Sequence, residues 1–128
     1  MGWVELHQKL HVAVDFDGTI VENKYPGIGQ PIEHALGVLR ELQTDKDIQL
    51  MLWTARTGKE LDAAVEWMAE QGFDWPVNRN PHIEFGRKLV ADIYIDDRNI
   101  GGLPSWKLIH RHIMVARRRH VAMVWSSK

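Results

Sequence analysis

Hydrophobic and polar positions alternate along this chain in blocks that predict strands and helices in turn. Two short apolar runs, at residues 10–15 and 48–54, are typical of buried strands. Between them, apolar residues recur at helical spacing, which predicts a helix from Pro31 to about Thr44 with proline at its first position. The first half of the chain therefore predicts a strand–helix–strand unit.

The second half continues the alternation with shorter elements. Thr57 and Glu60 fit a capping box, which predicts the start of a second helix, and Gly72 is its predicted stop signal. The remaining predicted elements are a strand at 75–77, a strand at 91–95, a helix that carries Trp106, Ile109 and Ile113, and a last strand at 121–125. Alternation of this kind predicts an α/β domain, a doubly wound three-layer α/β/α sandwich with a mainly parallel sheet and right-handed crossovers.

Polar clusters follow three of the predicted strands. They are residues 15–17, 54–56 and 96–98, each at the carboxyl end of an apolar run. In open α/β sheets, ligands bind beyond the carboxyl ends of the strands. We therefore expect the three clusters to meet at one edge of the sheet.

Length and composition narrow the class of protein. The 128 residues fit one domain with a core over about residues 10–125. The 16 Lys and Arg residues balance 17 Asp and Glu residues, so no general field attracts nucleic acid or an anionic membrane. The absence of cysteine excludes disulfides, thiolate metal sites and a cysteine nucleophile. No apolar run has the roughly 20 residues of a membrane span, and the segment 1–9 lacks a secretory signal. We expect a cytoplasmic protein with no membrane partner.

The first cluster, Asp15-Phe16-Asp17-Gly18-Thr19, is the most informative. In an extended chain Asp15 and Asp17 point the same way, so both can face one pocket. Gly18 permits a sharp turn, and the Thr19 hydroxyl can anchor the loop or a ligand. The cluster suits metal-assisted phosphoryl transfer. On these residues alone, a strand followed by an ordinary Asp/Gly turn is an equal interpretation.

Asp96-Asp97 supplies a second pair of acids. Acids on different strands repel each other unless a cation lies between them, and Mg²⁺ prefers carboxylate and water oxygens. The expected ligands are Asp15, Asp96 and a backbone carbonyl near Asp17, with Asp97 binding directly or through water. By itself, the Asp96-Asp97 pair is more typical of a turn or a helix cap.

Two further residues suit a phosphate. Thr54 ends its predicted strand with a hydroxyl beside the start of the next helix, and helix starts favour anions. Lys88 precedes the strand at 91–95 and would neutralise a phosphate. The ordinary alternatives are a strand end followed by a helix cap, and a solvated surface lysine.

In this order and at these strand ends, the residues resemble the four motifs of the haloacid dehalogenase-like (HAD) hydrolase superfamily. The matches are Asp15–Thr19 for the first motif, Thr54 for the second, Lys88 for the third and Asp96-Asp97 for the fourth. The resemblance implies a phosphatase with an aspartyl-phosphate intermediate, in which Asp15 is the nucleophile, Asp17 the general acid and base, and Lys88 a catalytic cation. The implied cofactor is Mg²⁺, and its implied ligands are Asp15, Asp17, Asp96 and Asp97. The implied phosphate contacts are Gly18, Thr19, Thr54, Ala55 and Arg56.

The loops bear on the substrate. The segments 20–30 and 75–86 are too short for a cap domain, so we expect an open site without a cap. An open site suits a bulky phosphorylated substrate, or one covered by another subunit. The stretch 96–98 with Trp106 also resembles, more distantly, the phosphatase domain of polynucleotide kinase-phosphatases. The open alternatives are a phosphatase of small molecules, a phosphatase of nucleic acid ends, and a non-catalytic phospholigand-binding module on the same fold.

The arginines beside the clusters have two interpretations. Arg56 and Arg98 can each grip a phosphate or pair with a motif acid. For Arg98 we expect the pairing, and for Arg56 both roles stay open. The basic stretch 117–119 is expected to be a solvated helix face rather than a nucleic-acid contact. Trp3 and Trp125, near the ends of the chain, suggest a contact between copies in a homo-oligomer.

Overall fold

A parallel β-sheet organises the chain. The computed structural model describes residues 9–83 and 86–126. Its strands are β1 (Leu10–Val14), β2 (Ile48–Leu52) and β3 (Ile93–Ile95), arranged in the order β2-β1-β3 with parallel neighbours. Every residue of β1 is buried, as expected for a central strand that is covered on both faces. The predicted α/β class is confirmed, and the fold is of the Rossmann-like type.

Three helices accompany the sheet in the described residues: α1 (Ala35–Thr44), α2 (Gly58–Glu70) and α3 (Trp106–Ser126). The prediction that α1 begins at Pro31 is wrong. Pro31 forms an antiparallel bridge with Val21, and His34 at the N-cap has a φ of 69°, which interrupts any earlier helical turn. The predicted end of α2 is confirmed, because the helix stops at Glu70 and Gly72 adopts a φ of +90°.

The predicted last strand at 121–125 is wrong, because α3 continues through it. No glycine or proline separates this segment from Trp106, and the four arginines and Ala116 between them favour helix. The predicted strand at 75–77 shrinks to one parallel bridge between Val77 and Leu52. Pro76 contributes only its carbonyl, which accepts the Leu52 N–H at 2.8 Å, since proline has no N–H to continue a ladder.

The two faces of the sheet are covered differently. Val12, Leu50 and their neighbours on one face pack with side chains from all three helices. Ala13 and Met51 on the other face pack with Leu89, from the loop that leads to β3. Val77 pairs with the outer edge of β2, whereas β3 lies on the opposite side of β1. The loop from Val77 to β3 therefore has to cross the sheet, and a right-handed connection places it over the second face.

The second helical layer of the predicted three-layer sandwich is not found in the described part of this crossing. The crossing carries Pro81 and Gly86, and such residues disfavour a helix over so short a span. Loop side chains therefore cover the second face.

The basic C-terminal region is largely a helix face. Arg117 pairs with Asp45 at 2.7 Å and with Asp47 at 2.8 Å, which ties α3 to the turn before β2. Arg118 and Arg119 are exposed. Trp3 lies outside the described residues, so the contact between copies stays a prediction.

Within the described ranges, no helix has the length and apolar character needed to cross a membrane.

Candidate functional site

The three polar clusters meet, as predicted, at the carboxyl end of the sheet. They line a cavity of about 510 Å³. The lining residues are Asp15, Asp17, Asn23, Tyr25, Trp53, Thr54, Ala55, Arg56, Asp96, Asp97 and Arg98. The cavity lies where ligands bind in open α/β sheets, and its volume lies within the usual range for small-molecule sites.

Three carboxylates form the acidic centre of this cavity. Asp15, Asp96 and Asp97 each offer an oxygen, and these oxygens lie within 4.8 Å of one another. The backbone of β1 and β3 fixes the spacing, because the Asp15 N–H continues the ladder by donating to the Ile95 carbonyl at 2.9 Å. Adjacent strand ends therefore hold acids that would repel each other in isolation.

The environment of Asp15 disfavours its ionised form. Burial raises the pKa of the Asp15 carboxyl from its ordinary value of 3.8 to about 7, and the charges of Asp96 and Asp97 add to this increase. The hydrogen bond from the Thr19 hydroxyl lowers the pKa of Asp15, but by less than burial raises it. A cation between the acids would relieve both the burial cost and the repulsion.

The donor set fits a hard divalent cation. All three groups are carboxylates, and they are half-buried rather than fully enclosed, so water can complete an octahedral shell. Mg²⁺ is therefore compatible with the residues present. Asp17 does not belong to this group among the described residues, and its predicted contribution through a backbone carbonyl stays a prediction.

Thr19 links two of the acids. Its side chain is fully buried, and its hydroxyl donates to Asp15 Oδ2 at 3.0 Å while it accepts the Asp97 N–H at 3.1 Å. Its carbonyl accepts the indole N–H of Trp106 at 2.9 Å. Of the two roles the sequence suggested for Thr19, the structure shows the anchoring of the loop. Trp106, whose spacing indicated only a core position, is one of its supports.

Gly18 makes room for the acidic centre. Its φ of +80° is a backbone angle that residues other than glycine rarely adopt. A Cβ at this position would overlap the Asp97 carboxylate. The glycine therefore allows the first and fourth clusters to approach each other.

Arg56, which also lines the cavity, holds the Asp17 carboxylate through two hydrogen bonds. Its Nε donates to Asp17 Oδ2 and its Nη2 to Asp17 Oδ1, both at 2.7 Å. Arg56 is only 2% exposed, and the hydrogen bonds to Asp17 raise the pKa of Arg56 above its ordinary value. Such a two-point pair fixes the orientation of the Asp17 carboxylate.

The other donors of Arg56 bind backbone. Nη1 donates to the carbonyls of Pro26 at 3.1 Å and Glu60 at 3.2 Å, and Nη2 donates to the carbonyl of Gly27 at 2.6 Å. With the two bonds to Asp17, all five N–H donors of the guanidinium are used. The predicted phosphate contact by Arg56 is therefore not supported, since no donor is left for a ligand.

Thr54 and Ala55 lie at the cavity wall, as expected. The Thr54 N–H donates to Asn78 Oδ1 at 2.8 Å, and the Thr54 hydroxyl oxygen accepts the Arg56 N–H at 3.1 Å. The hydroxyl proton has no acceptor among the residues the structure describes, so it is available to a ligand. The side chain of Thr57 makes no capping hydrogen bond at the start of α2.

Lys88 and Arg98, the two other predicted cationic side chains, do not make the contacts that the sequence predicted. Lys88 is exposed, and its Nζ lies 5.0 Å from the ring centroid of Tyr94, outside the cavity lining. Arg98 lines the cavity, and its backbone N–H donates to Asp96 Oδ1 at 2.9 Å. Within the described ranges its guanidinium has no ion pair, so the expected pairing with a motif acid is not found.

Sequence reasoning missed three residues of the cavity wall: Asn23, Tyr25 and Trp53. In the sequence, the loop after the first motif indicates only that a cap domain is absent, and Trp53 lies within the apolar run at 48–54. One signal was available, because a Gly/Pro-rich loop that leaves the carboxyl end of a central strand must pass beside the ligand site.

Comparison with known proteins identifies a relative. The solved structure of a conserved protein from Bacteroides thetaiotaomicron is 45% identical and superposes with a TM-score of 0.77, over 84% of this chain and 92% of the other. At this identity and coverage, the chain belongs to the same family as the Bacteroides protein. No family model and no curated protein matches the sequence.

Proposed function

We propose that this protein is a Mg²⁺-dependent phosphatase of the HAD-like superfamily, without a cap domain, that acts through an aspartyl-phosphate. One observation carries the proposal: the carboxylates of Asp15, Asp96 and Asp97 share one centre at the carboxyl end of the sheet, within an open cavity. The neighbouring Asp17 supplies the second acid of the first motif.

The roles follow from the placement of each group. Mg²⁺, held by Asp15, Asp96 and Asp97, would offset negative charge on the transferring phosphoryl group. The Asp15 carboxylate attacks phosphorus, the ester P–O bond breaks, and the leaving oxygen takes a proton from Asp17. Asp17 then accepts a proton from water as the water attacks phosphorus, and this releases phosphate and regenerates Asp15.

Arg56 would act as a positioning residue in this reaction. It holds both oxygens of Asp17 at 2.7 Å, and each oxygen keeps a lone pair for proton transfer. Thr54 offers a hydroxyl donor to the phosphate, and the Arg98 guanidinium offers charge at the cavity wall. In the HAD-like role, Lys88 would have to leave the Tyr94 ring and turn toward the cavity.

The direct test is hydrolysis of p-nitrophenyl phosphate by the full chain, with Mg²⁺ or with EDTA. We expect Mg²⁺-dependent turnover that Asp15→Asn abolishes. Asp62→Asn on the exposed face of α2 is the matched control and should retain full activity. Undiminished turnover in Asp15→Asn would refute the nucleophile, and absence of turnover with any phosphate ester would refute the phosphatase.

A non-catalytic phospholigand-binding module is the second candidate. The placement of Lys88 outside the cavity favours it, because a phosphatase of this type is expected to bring a lysine to the phosphate. This candidate predicts that a phosphate ester raises the Tm in the presence of Mg²⁺ without being consumed. Thermal unfolding combined with a phosphate-release assay on the same samples separates the two candidates.

A further inference from the structure

We propose that the cavity selects phosphate monoesters whose organic part carries a planar aromatic ring, and that Tyr25 is the platform on which this ring stacks. The inference rests on the proposed function, since it assigns the substrate class of the same site. It comes from the cavity wall rather than from the acidic centre.

Tyr25 is an exposed aromatic residue on a cavity wall. It is 57% exposed, although large apolar rings usually bury more of their surface. One face of its ring lies over the Arg56 guanidinium, with 5.1 Å between the guanidinium carbon and the ring centroid. The same guanidinium lies 5.2 Å from the Phe16 ring. Tyr25 thus ends a stack that begins in the core.

The backbone around Tyr25 is fixed before any ligand binds. Arg56 holds the carbonyls of Pro26 and Gly27, which directly follow Tyr25. On the other side, the Tyr25 N–H donates to Asn23 Oδ1 at 3.2 Å. A platform that is already in place costs little ordering entropy when a ligand stacks on it.

The other wall residues suit the same ligand. Trp53 is a second aromatic residue of the lining, Ala55 leaves space, and Arg98 offers a guanidinium that can stack on a ring or bind an anion. At about 510 Å³, the cavity holds much more than a phosphate group. The acidic centre with a cation would take the phosphate, and the aromatic wall would take the organic part.

A sugar phosphate matches this wall less well. A sugar lacks the planar ring that stacks on a tyrosine ring, and the Asn23 amide oxygen, a possible partner for a sugar hydroxyl, already accepts a bond from Tyr25. Nucleotides and aryl phosphates share the planar ring that the wall requires. A terminal phosphate on a nucleic acid carries the same chemistry and is distinguished by experiment.

The test compares ligands that differ only in the ring. Phosphonate analogues, which cannot be hydrolysed, of adenosine 5′-phosphate and of ribose 5-phosphate are titrated calorimetrically into the full chain with Mg²⁺. The variants are Tyr25→Phe, Tyr25→Ala and Tyr25→Leu, the last of which keeps bulk over Arg56. In parallel, phosphate release is measured from adenosine 5′-phosphate, ribose 5-phosphate and a 5′-phosphorylated oligonucleotide.

We expect wild type and Tyr25→Phe to bind the adenosine analogue roughly tenfold or more tightly than the ribose analogue, the effect of one base–aromatic stack. Tyr25→Ala and Tyr25→Leu should lose that preference and bind the ribose analogue unchanged. If phosphate is released faster from the free nucleotide than from the oligonucleotide, the substrate is a small molecule. If it is released faster from the oligonucleotide, the substrate is a nucleic acid end.

Equal binding of the two analogues by wild type would overturn the inference. An equal loss for both analogues in Tyr25→Leu would also overturn it, since Tyr25 would then only support Arg56. Turnover without a ring preference rejects this inference and leaves the phosphatase intact. Ring-dependent binding without any turnover rejects the phosphatase and leaves the stacking platform intact.

Discussion

Replacing Asp15 by asparagine should stabilise the metal-free protein at high pH. In the folded chain the pKa of Asp15 is raised from 3.8 to about 7, chiefly by burial and then by the charges of Asp96 and Asp97. Below pH 3.8 the carboxyl is protonated in both the folded and the unfolded states, so the ionisation of Asp15 does not change the free energy of unfolding. Between that pH and about 7 only the unfolded state loses its proton, so the folded state loses stability as the pH rises.

The magnitude follows from the size of this pKa increase. One pKa unit corresponds to about 1.4 kcal/mol, so the full change corresponds to about 4 kcal/mol as an upper limit. Asp15 is only partly buried, and water screens its charge. We therefore expect Asp15→Asn to raise the free energy of unfolding by about 1–2 kcal/mol near pH 8, which is about 4–8 °C in Tm.

The assay is thermal and urea unfolding of the full chain in EDTA, near pH 4 and near pH 8, compared with wild type. The stabilisation should be present at the higher pH and absent at the lower one. Saturating Mg²⁺ should raise the Tm of wild type more than that of the variant, which lacks one ligand. Asp62→Asn serves as the control for loss of one exposed charge. An Asp15→Asn variant that is no more stable than wild type near pH 8 without metal would refute the reasoning.

Three further substitutions test the surroundings of the acids. Gly18→Ala forces a methyl group against a carboxylate at a φ of +80°, and should lower the free energy of unfolding by about 1–3 kcal/mol in urea titrations; an unchanged midpoint would contradict this. Arg56→Lys loses the two-point pair with Asp17 and should lower the free energy of unfolding by about 3 kcal/mol. It should also lower kcat, and a wild-type kcat in this variant would exclude the positioning role. Arg98→Gln should raise KM for phosphate esters more than Lys88→Gln does, because Arg98 lines the cavity and Lys88 does not, and the opposite ranking would show that Lys88 reaches the phosphate.

Much of the site's framework was predictable from sequence. Apolar runs that end in polar clusters define strand ends, and parallel strands bring such ends to one edge. For this reason residues 15–17, 54–56 and 96–98 were expected together, and the structure places them around one cavity. Strand and helix periodicity also predicted the α/β class correctly.

Other features depend on contacts that no local pattern encodes. Arg56 faces Asp17 because two carbonyls of the loop at 26–27 and one at Glu60 complete its hydrogen bonds, and that loop has no regular pattern. The prediction of a strand at 121–125 is wrong because its valines and tryptophan are common in strands, whereas the helix that begins at Trp106 continues through them. The second face of the sheet is covered by Leu89 from a loop, although a helix was expected there.

The central claim is that Asp15 becomes phosphorylated during turnover. The measurement is rapid acid quenching of the full chain with Mg²⁺ and a phosphate ester, followed by mass analysis of its peptides. The account predicts a phosphoryl group on the peptide that contains Asp15, and its absence in EDTA and in Asp15→Asn. Turnover with no phosphorylated peptide, or with the phosphoryl group on another peptide, would contradict it.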